Sequence, residues 1–186
     1  MKKILFIIPL LLLICSICLA ATLGITTTKS ETYGLDQNDI AAYKVSMSEA
    51  GSVTKFTAYI KNGDGSYSHN IKALLYSDDS GYPDSLLASS SSTSVSAGYG
   101  AGWFDITISY SLSSGTFWLG LISDDESGSI QVYGDENGAT DNSTYVSDSF
   151  SSPSSTAPTA GAYISDRDYS LYATYTTASG RTRRLF

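Results

Sequence analysis

Apolar side chains at every second position restrict what this chain can fold into more than any other feature. In residues 51–61, GSVTKFTAYIK, the apolar residues fall largely on one side and the polar ones, with Tyr59, on the other. A period of two is typical of a strand with one face buried and one in solvent. The same period recurs in WFDITISYSL, GTFWLGLIS and YSLYATYT. Further candidate strands are residues 23–28, 40–47, 71–77, 129–133 and 145–150.

Turn-forming residues separate these runs. Asn62-Gly63-Asp64-Gly65, Ser113-Ser114-Gly115 and Asp135-Glu136-Asn137-Gly138 all tolerate a positive φ. About nine or ten short strands joined by such turns, without a helical stripe of three turns, indicate an all-β fold. The sequence predicts an antiparallel two-sheet β-sandwich, either jelly-roll or immunoglobulin-like.

The first twenty residues have the layout of a secretory signal peptide. MKKILFIIPLLLLICSICLA has two lysines, an apolar run and small residues at Cys18 and Ala20. The run is short for a membrane span, and isoleucines precede both cysteines, which disfavours a lipid anchor. We therefore expect cleavage after Ala20, secretion, and no membrane insertion of the mature protein.

The mature chain contains no cysteine, because both lie in the leader. It must fold without disulfides, as one domain over residues 21–178. Lys2 and Lys3 leave with the leader, so nine of the 11 basic residues remain against 18 acidic ones. Such a chain repels phosphate backbones, so nucleic acid is a poor partner.

Two segments depart from the strand pattern. Residues 135–161 are rich in Ser, Thr and Ala and contain Pro153 and Pro158. They predict a long surface loop with one edge strand. Residues 179–186 form a basic tail. The tail is interpreted either as a frayed end of the chain or as a segment that contacts the acidic face of another subunit.

An ordered series of motifs resembles a family of secreted bacterial and archaeal β-sandwich domains. The series is GSVTKFTAYIKN, IKALLYSDDSGYPDSLLASS, GWFDITI, LSSGTFWLGL and YSLYATYT, within residues 40–176. Members of that family are commonly labelled uncharacterised, anchor-associated or carbohydrate-binding-like. The resemblance implies the fold more firmly than a function.

Calcium is the one cofactor that the sequence offers. LYSDDSG at residues 75–81 and LISDDESG at residues 121–128 both end an apolar strand with Ser-Asp-Asp. If both turns met at one end of the sandwich, their carboxylates could supply the six to eight oxygens that calcium takes. The alternative is a pair of turns at strand ends, since Asp accepts hydrogen bonds from nearby backbone. The candidate ligands are Asp78, Asp79, Asp124 and Asp125.

Catalytic signals are weak, and we expect a protein that is not an enzyme. His69 is the single histidine, no G-x-S-x-G elbow is present, and no spacing singles out a carboxylate pair.

Aromatic residues are the better lead to function. The chain has 14 tyrosines and two tryptophans, and exposed rings can stack on the apolar face of a sugar. Trp118 is predicted to be in the core, and Trp103 either caps the sandwich or lies exposed. Tyr82 and Tyr99 are the rings expected to meet solvent.

Two functions stay open on these grounds. The first is a non-catalytic module that binds polysaccharide or cell-surface glycan through Tyr82, Tyr99 and Trp103. The second is a self-associating structural subunit of a surface layer or filament. Asn142-Ser143-Thr144 is also an acceptor motif for N-linked glycan.

Overall fold

The computed structural model describes residues 20–136, 142–158 and 163–177, with the backbone alone for residues 163 and 164. These residues form strands and no helix. The strands are β1 (Ala20–Gly24), β2 (Glu31–Gly34), β3 (Asp39–Met47), β4 (Gly51–Asn62), β5 (His69–Asp79), β6 (Tyr82–Ser89), β7 (Thr93–Val95), β8 (Gly102–Leu112), β9 (Gly115–Ser123), β10 (Ile130–Asp135), β11 (Ser143–Ser147), β12 (Tyr163–Ser165), β13 (Asp168–Tyr169) and β14 (Leu171–Thr177).

The strands form two sheets of seven. The first sheet has the order β1-β14-β4-β10-β13, in which β14 and β10 pair with successive parts of one edge of β4. β8 pairs with the opposite edge of β4, and β2 pairs with β10. The second sheet has the order β12-β11-β3-β9-β5-β6, with β7 added to β5. Every strand pair is antiparallel. The predicted all-β sandwich of two antiparallel sheets is therefore confirmed.

The main core lies between the sheets. From the first sheet it takes the inward residues of β4, β8 and β14, and from the second those of β3, β5 and β9. These apolar side chains leave water together on folding, which stabilises the stacked arrangement. The largest fully buried members of this core are Leu35, Phe56, Ile60, Ile71, Leu75, Ile106, Leu119 and Tyr169.

A bulge explains why the alternation in β4 is imperfect. Val53 and Phe56 are both fully buried although they are three positions apart. Opposite them on β14, Tyr175 pairs with Val53 and Thr174 pairs with Lys55, so that Thr54 is the extra residue. One unpaired residue shifts the phase of a strand and returns both apolar side chains to the inner face.

The outer face of the second sheet is also buried. A second cluster there contains Trp118, Tyr76 and Val146, with Phe150 packed against it. Residues 148–158, which we call the cover segment, contribute Phe150 and Ala157 to this cluster. The cover segment is held by the bonds Leu86 N to Ser155 O and Ala157 N to Asp84 O. Trp118 is fully buried, as predicted.

Several predicted boundaries need correction. The strand expected at residues 23–28 is β1, which ends at Gly24, where φ is +116° and a Cβ would lie 2.5 Å from the Leu171 carbonyl oxygen. The strand expected at residues 145–150 is β11, and it is not at an edge because it pairs with both β3 and β12. Its first two residues, Ser143 and Thr144, are fully buried polar residues, which a hydrophobic pattern does not reveal.

Parts of the sequence-based prediction lie outside the described residues. These are residues 1–19 of the leader, residues 137–141 and 159–162 of the predicted loop, and the tail from residue 178. Within the described ranges, no helix has the length and apolar character needed to cross a membrane.

Candidate functional site

Four aromatic rings form a continuous row on the outer face of the first sheet. Trp103 of β8 contacts Tyr59 of β4, with ring centroids 5.2 Å apart, and Tyr172 of β14, at 5.3 Å. Tyr59 in turn contacts Tyr133 of β10 at 4.9 Å. All three contacts are edge-to-face, the favoured geometry for aromatic pairs. We call these four residues the aromatic strip.

Strand alternation and register together place the aromatic strip. The three tyrosines alternate with buried neighbours on their own strands; Tyr59, for example, lies between the buried Ala58 and Ile60. Tyr59 pairs directly with Trp103, and Tyr172 pairs with Thr57, two residues before Tyr59. Because side chains at paired positions share a face, the rings from neighbouring strands meet.

The aromatic strip lies on a face that no described strand covers. The strand contacts between sheets involve the other face, which forms the main core. Each ring of the strip is half-buried by its neighbours. The Trp103–Tyr172 contact reaches across β4, and Thr57 between them is only 1% exposed. The strip is thus a packed aromatic surface and not a set of loose side chains.

A carboxylate and a lysine flank the strip. Asp105 follows Trp103 by two residues on the same face of β8, and its side chain is 56% exposed. Lys55 Nζ donates to Asp105 Oδ2 at 2.9 Å, and Thr57 Oγ1 donates to Asp105 Oδ1 at 2.7 Å. These two bonds fix the orientation of the carboxylate beside the Trp103 ring.

The same contacts keep Asp105 ionised. Burial raises the pKa of its carboxyl group, but the hydrogen bonds from Lys55 and Thr57 and the charge of Lys55 lower the pKa below its usual value. The hydrogen bond to Asp105 raises the pKa of Lys55. Both groups are therefore charged throughout the neutral and mildly acidic range.

The structure separates the three aromatic residues predicted as a ligand site. Trp103 belongs to the aromatic strip. Tyr99 lies next to it, but it is half-buried: its ring packs on Phe104 at 5.5 Å and its hydroxyl donates to the Trp103 carbonyl at 3.2 Å. Tyr99 is therefore only partly exposed to solvent. Tyr82 is 52% exposed, but it lies in the β5–β6 turn at the opposite end of the sandwich.

The two Ser-Asp-Asp turns also lie apart. Because β5 and β9 are antiparallel, Ile71 pairs with Ser123 and Ser77 pairs with Phe117. Asp124 therefore lies beside Asn70. Asn70 precedes Asp78 by eight residues on β5, which separates the two turns by about 25 Å at the usual rise of a strand. A single calcium site cannot include both turns, so the interpretation of Asp78, Asp79, Asp124 and Asp125 as one ligand set is wrong, and the two turns lie at different strand ends.

Each of these four aspartates has its own hydrogen-bond donors. Asp78 Oδ1 accepts from Trp118 Nε1 at 2.7 Å, and its Oδ2 accepts from the Gly81 backbone at 3.2 Å. Asp79 accepts from the Ser80 hydroxyl at 3.0 Å. Asp124 accepts from the Asn70 backbone and side-chain amides, both at 2.7 Å. These contacts are those of carboxylates that fix turns.

Asp125 is fully buried and anchors the β9–β10 turn. Its Oδ1 accepts from the Ser127 hydroxyl at 2.7 Å, and its Oδ2 accepts from the Ile130 backbone at 2.7 Å. His69 lies between it and Asp64, with Nδ1 3.4 Å from Asp125 and Nε2 3.5 Å from Asp64. Within the described ranges, no group of three or more His, Cys, Asp or Glu residues is arranged to hold a metal ion.

The glycan acceptor motif lies at the start of β11. The Asn142 carbonyl accepts from the Lys44 backbone at 2.7 Å, and Ser143 and Thr144 are fully buried. A transferase that needs all three residues extended and accessible would have to act before the chain folds.

Sequence reasoning missed three members of the aromatic strip. The alternation placed Tyr59 and Tyr172 on the outer face of their strands, but it placed many lysines and threonines there as well, so it did not single out the two tyrosines. What joins Tyr59, Tyr133 and Tyr172 to Trp103 is the register of four strands distant in sequence, which no single segment encodes. It also missed Tyr67, the most exposed aromatic residue described, at 69%.

No family model matches the chain, and no curated protein is significantly similar to it. The resemblance to secreted β-sandwich domains therefore stays a prediction.

Proposed function

We propose that the mature protein is a secreted, non-catalytic module that binds polysaccharide or cell-surface glycan through the aromatic strip. The observation that carries this proposal is the group of four contacting rings on a sheet face that no described strand covers. Export is inferred from the leader sequence alone.

The physical argument rests on how sugars are bound. A pyranose has an apolar face of C–H groups and an equator of hydroxyls, so it combines stacking on aromatic rings with hydrogen bonds to fixed polar groups. Aromatic rings bring a large contact area at a low cost in conformational entropy. The Trp103 ring, with the Asp105 carboxylate two residues away, supplies both elements on rigid strands.

A long polymer suits this site better than a small molecule. Residues of the strip come from β14, β4, β8 and β10, and neighbouring strands lie about 4.8 Å apart. Because β14 and β10 lie along one edge of β4 and β8 lies along the other, the rings span two strand spacings, or about 10 Å, across this face. An extended chain can contact the whole row.

Electrophoresis in gels that contain polysaccharide tests the proposal. We expect gels with hydroxyethylcellulose, galactomannan or laminarin to retard the mature protein, and Trp103→Ala to abolish that retardation. Tyr82→Ala is the matched control, because it removes an exposed ring at the other end of the sandwich. Circular dichroism should show the same strand content in all three proteins.

Two outcomes would contradict this function. One is that Trp103→Ala is retarded as strongly as the wild type in every gel. The other is that Tyr82→Ala loses retardation and Trp103→Ala keeps it, which would move the site to the β5–β6 turn.

The second candidate function is a structural subunit that assembles through strand edges. One observation favours it: β8 has 11 residues and pairs only with β4, so its other edge is unpaired among the described strands. An open edge of this length can add a strand from another chain. However, the register between β8 and β4 shifts between Tyr110 and Thr107, and a bulge of this kind protects an edge from pairing.

Analytical ultracentrifugation separates the two functions. A glycan-binding module should sediment as a monomer without sugar, and Ser109→Pro, at an exposed position of the bulge, should leave its sedimentation unchanged. Large particles that form without sugar and disappear in this variant would instead support assembly through β8.

A further inference from the structure

Two lysines beside the aromatic strip, Lys55 and Lys29, are already paired with carboxylates of the protein. Lys55 and Asp105 form an ion pair at 2.9 Å. At the Tyr133 end, Lys29 lies 3.3 Å from Asp135 and 3.4 Å from Asp168. Such pairs reduce the attraction of this face for an ionic ligand, because each cation already faces a carboxylate.

Asp105 nevertheless keeps free capacity to accept hydrogen bonds. Each carboxylate oxygen has two lone pairs, and each oxygen of Asp105 receives one bond from the protein. With its side chain 56% exposed, the remaining lone pairs face solvent. They lie on the same face as the Trp103 ring, about 7 Å along the strand. Asp105 is therefore an acceptor held in place next to a stacking surface.

We propose that the aromatic strip selects neutral polysaccharides, with Asp105 as the specificity-determining acceptor of sugar hydroxyls and Lys55 and Thr57 as the residues that position it. This inference rests on the proposed function and adds the class of ligand to it. Hydroxyl groups donate to the fixed carboxylate, and hydrogen bonds to a charged group are among the stronger ones in proteins.

Polyanionic glycans should be rejected at the same site. A uronate stacked on Trp103 would bring its carboxylate close to Asp105, and like charges repel most where water is partly excluded. The expected mature chain, with nine basic and 18 acidic residues, has a net charge of −9, which adds a long-range repulsion. Lys61 of β4 lies near the strip, and its ammonium group has no partner among the described residues. It is the group that could attract an anionic glycan and so oppose the selection of neutral ones.

Affinity electrophoresis with matched neutral and anionic polymers tests the inference. The neutral probes are hydroxyethylcellulose and galactomannan, and the anionic probe is alginate. We expect the wild type to be retarded by a neutral polymer and not by alginate. Asp105→Asn should weaken neutral binding at least tenfold, because the amide loses the charge and half of the acceptor capacity.

Two control variants separate this role from general effects. Lys61→Gln should change neutral binding by less than twofold, because its ammonium group has no part in the proposed site. Asp79→Asn removes a carboxylate at the other end of the sandwich and should bind as the wild type does. The Lys55–Asp105 pair is exposed, with side-chain exposures of 39% and 56%, so its loss costs little stability and Asp105→Asn should stay folded.

The outcomes distinguish the inference from the proposed function. Retardation by alginate that depends on Trp103 and Lys61 would overturn neutral selection and leave glycan binding in place. Unchanged neutral binding by Asp105→Asn would overturn the role of Asp105. Retardation in no gel, or retardation that does not depend on Trp103, would overturn both.

Discussion

Trp103 pairs directly with Tyr59 across β4 and β8, and the two ring centroids are 5.2 Å apart at an interplanar angle of 70°. This pair is the centre of the aromatic strip, since Trp103 also contacts Tyr172 and Tyr59 also contacts Tyr133. Residues distant in sequence thus form one surface because the first sheet has a defined register.

The Tyr59–Trp103 contact should be measurable as a coupling energy. An edge-to-face pair contributes about 0.5–1.5 kcal/mol beyond its buried area. We expect a double-mutant cycle of Tyr59→Ala and Trp103→Ala, followed by urea unfolding, to give a coupling in that range. The control cycle of Tyr59→Ala with Tyr82→Ala should be additive, because these residues lie in different sheets. Additivity in both cycles would mean that the rings do not pack in solution.

Trp118 should matter more to stability than Trp103. It is fully buried and donates its indole N–H to Asp78 at 2.7 Å. We expect Trp118→Phe to lower the free energy of unfolding by about 2–4 kcal/mol, because a bond to a charged acceptor and part of the core are lost together. Trp103→Phe keeps a ring on the outer face and should cost less than about 1 kcal/mol. Equal costs in denaturant titrations would contradict the burial of Trp118 in the second sheet.

Removal of calcium should leave the thermal midpoint unchanged. The two Ser-Asp-Asp turns lie at opposite ends of β5 and β9, and their four carboxylates accept bonds from the protein. We expect equal thermal midpoints in excess EDTA and in about 1 mM calcium, a concentration at which weak extracellular sites bind the ion. A midpoint that falls in EDTA and recovers with calcium would show that one of the turns binds the ion by itself.

Asp125 should contribute to a loss of stability in acid. Burial raises the pKa of its carboxyl group, but hydrogen bonds from Ser127 and Ile130 lower the pKa by more than burial raises it. The pKa of Asp125 is therefore below its usual value. A group whose pKa is lower in the folded state stabilises the protein fully above its unfolded pKa of about 3.9. That contribution is lost as the pH falls through the lower, folded pKa.

Comparison of two variants isolates this contribution. In unfolding measurements between pH 6 and pH 2, we expect Asp125→Asn to be less stable than the wild type at pH 6 and to lose less stability on acidification. Asp79→Asn changes an exposed residue of the β5–β6 turn and should follow the wild-type profile. Identical slopes for Asp125→Asn and the wild type would contradict the account of the β9–β10 turn.

The fold was predictable because burial in this protein follows the strand period. Phe56, Ala58 and Ile60 occupy alternate positions in the sequence, and all three are inside in the structure. The pattern fails where burial involves polar residues, as for Ser143 and Thr144 of β11. It also fails in β9, where Trp118 and Leu119 are both fully buried because the cover segment closes the outer face of the second sheet.

The candidate site was predictable only in part, for the same physical reason. Local sequence indicates which side chains leave the core, so Trp103 was a reasonable candidate. It does not indicate which strands become neighbours, so it grouped Trp103 with Tyr82, which lies at the other end of the sandwich. Likewise, the similar sequences around Asp78 and Asp124 suggested one site, whereas antiparallel pairing of β5 with β9 places them far apart.

Fluorescence quenching tests the aromatic strip as the binding surface most directly. The chain has two tryptophans, and Trp118 is fully buried, so acrylamide quenching of the native protein reports mainly on Trp103. We predict that saturating hydroxyethylcellulose or galactomannan protects the emission from acrylamide, and that Asp105→Asn weakens this protection. Quenching that is unchanged by a polysaccharide that retards the protein in gels would show that the sugar binds elsewhere, and it would contradict the account.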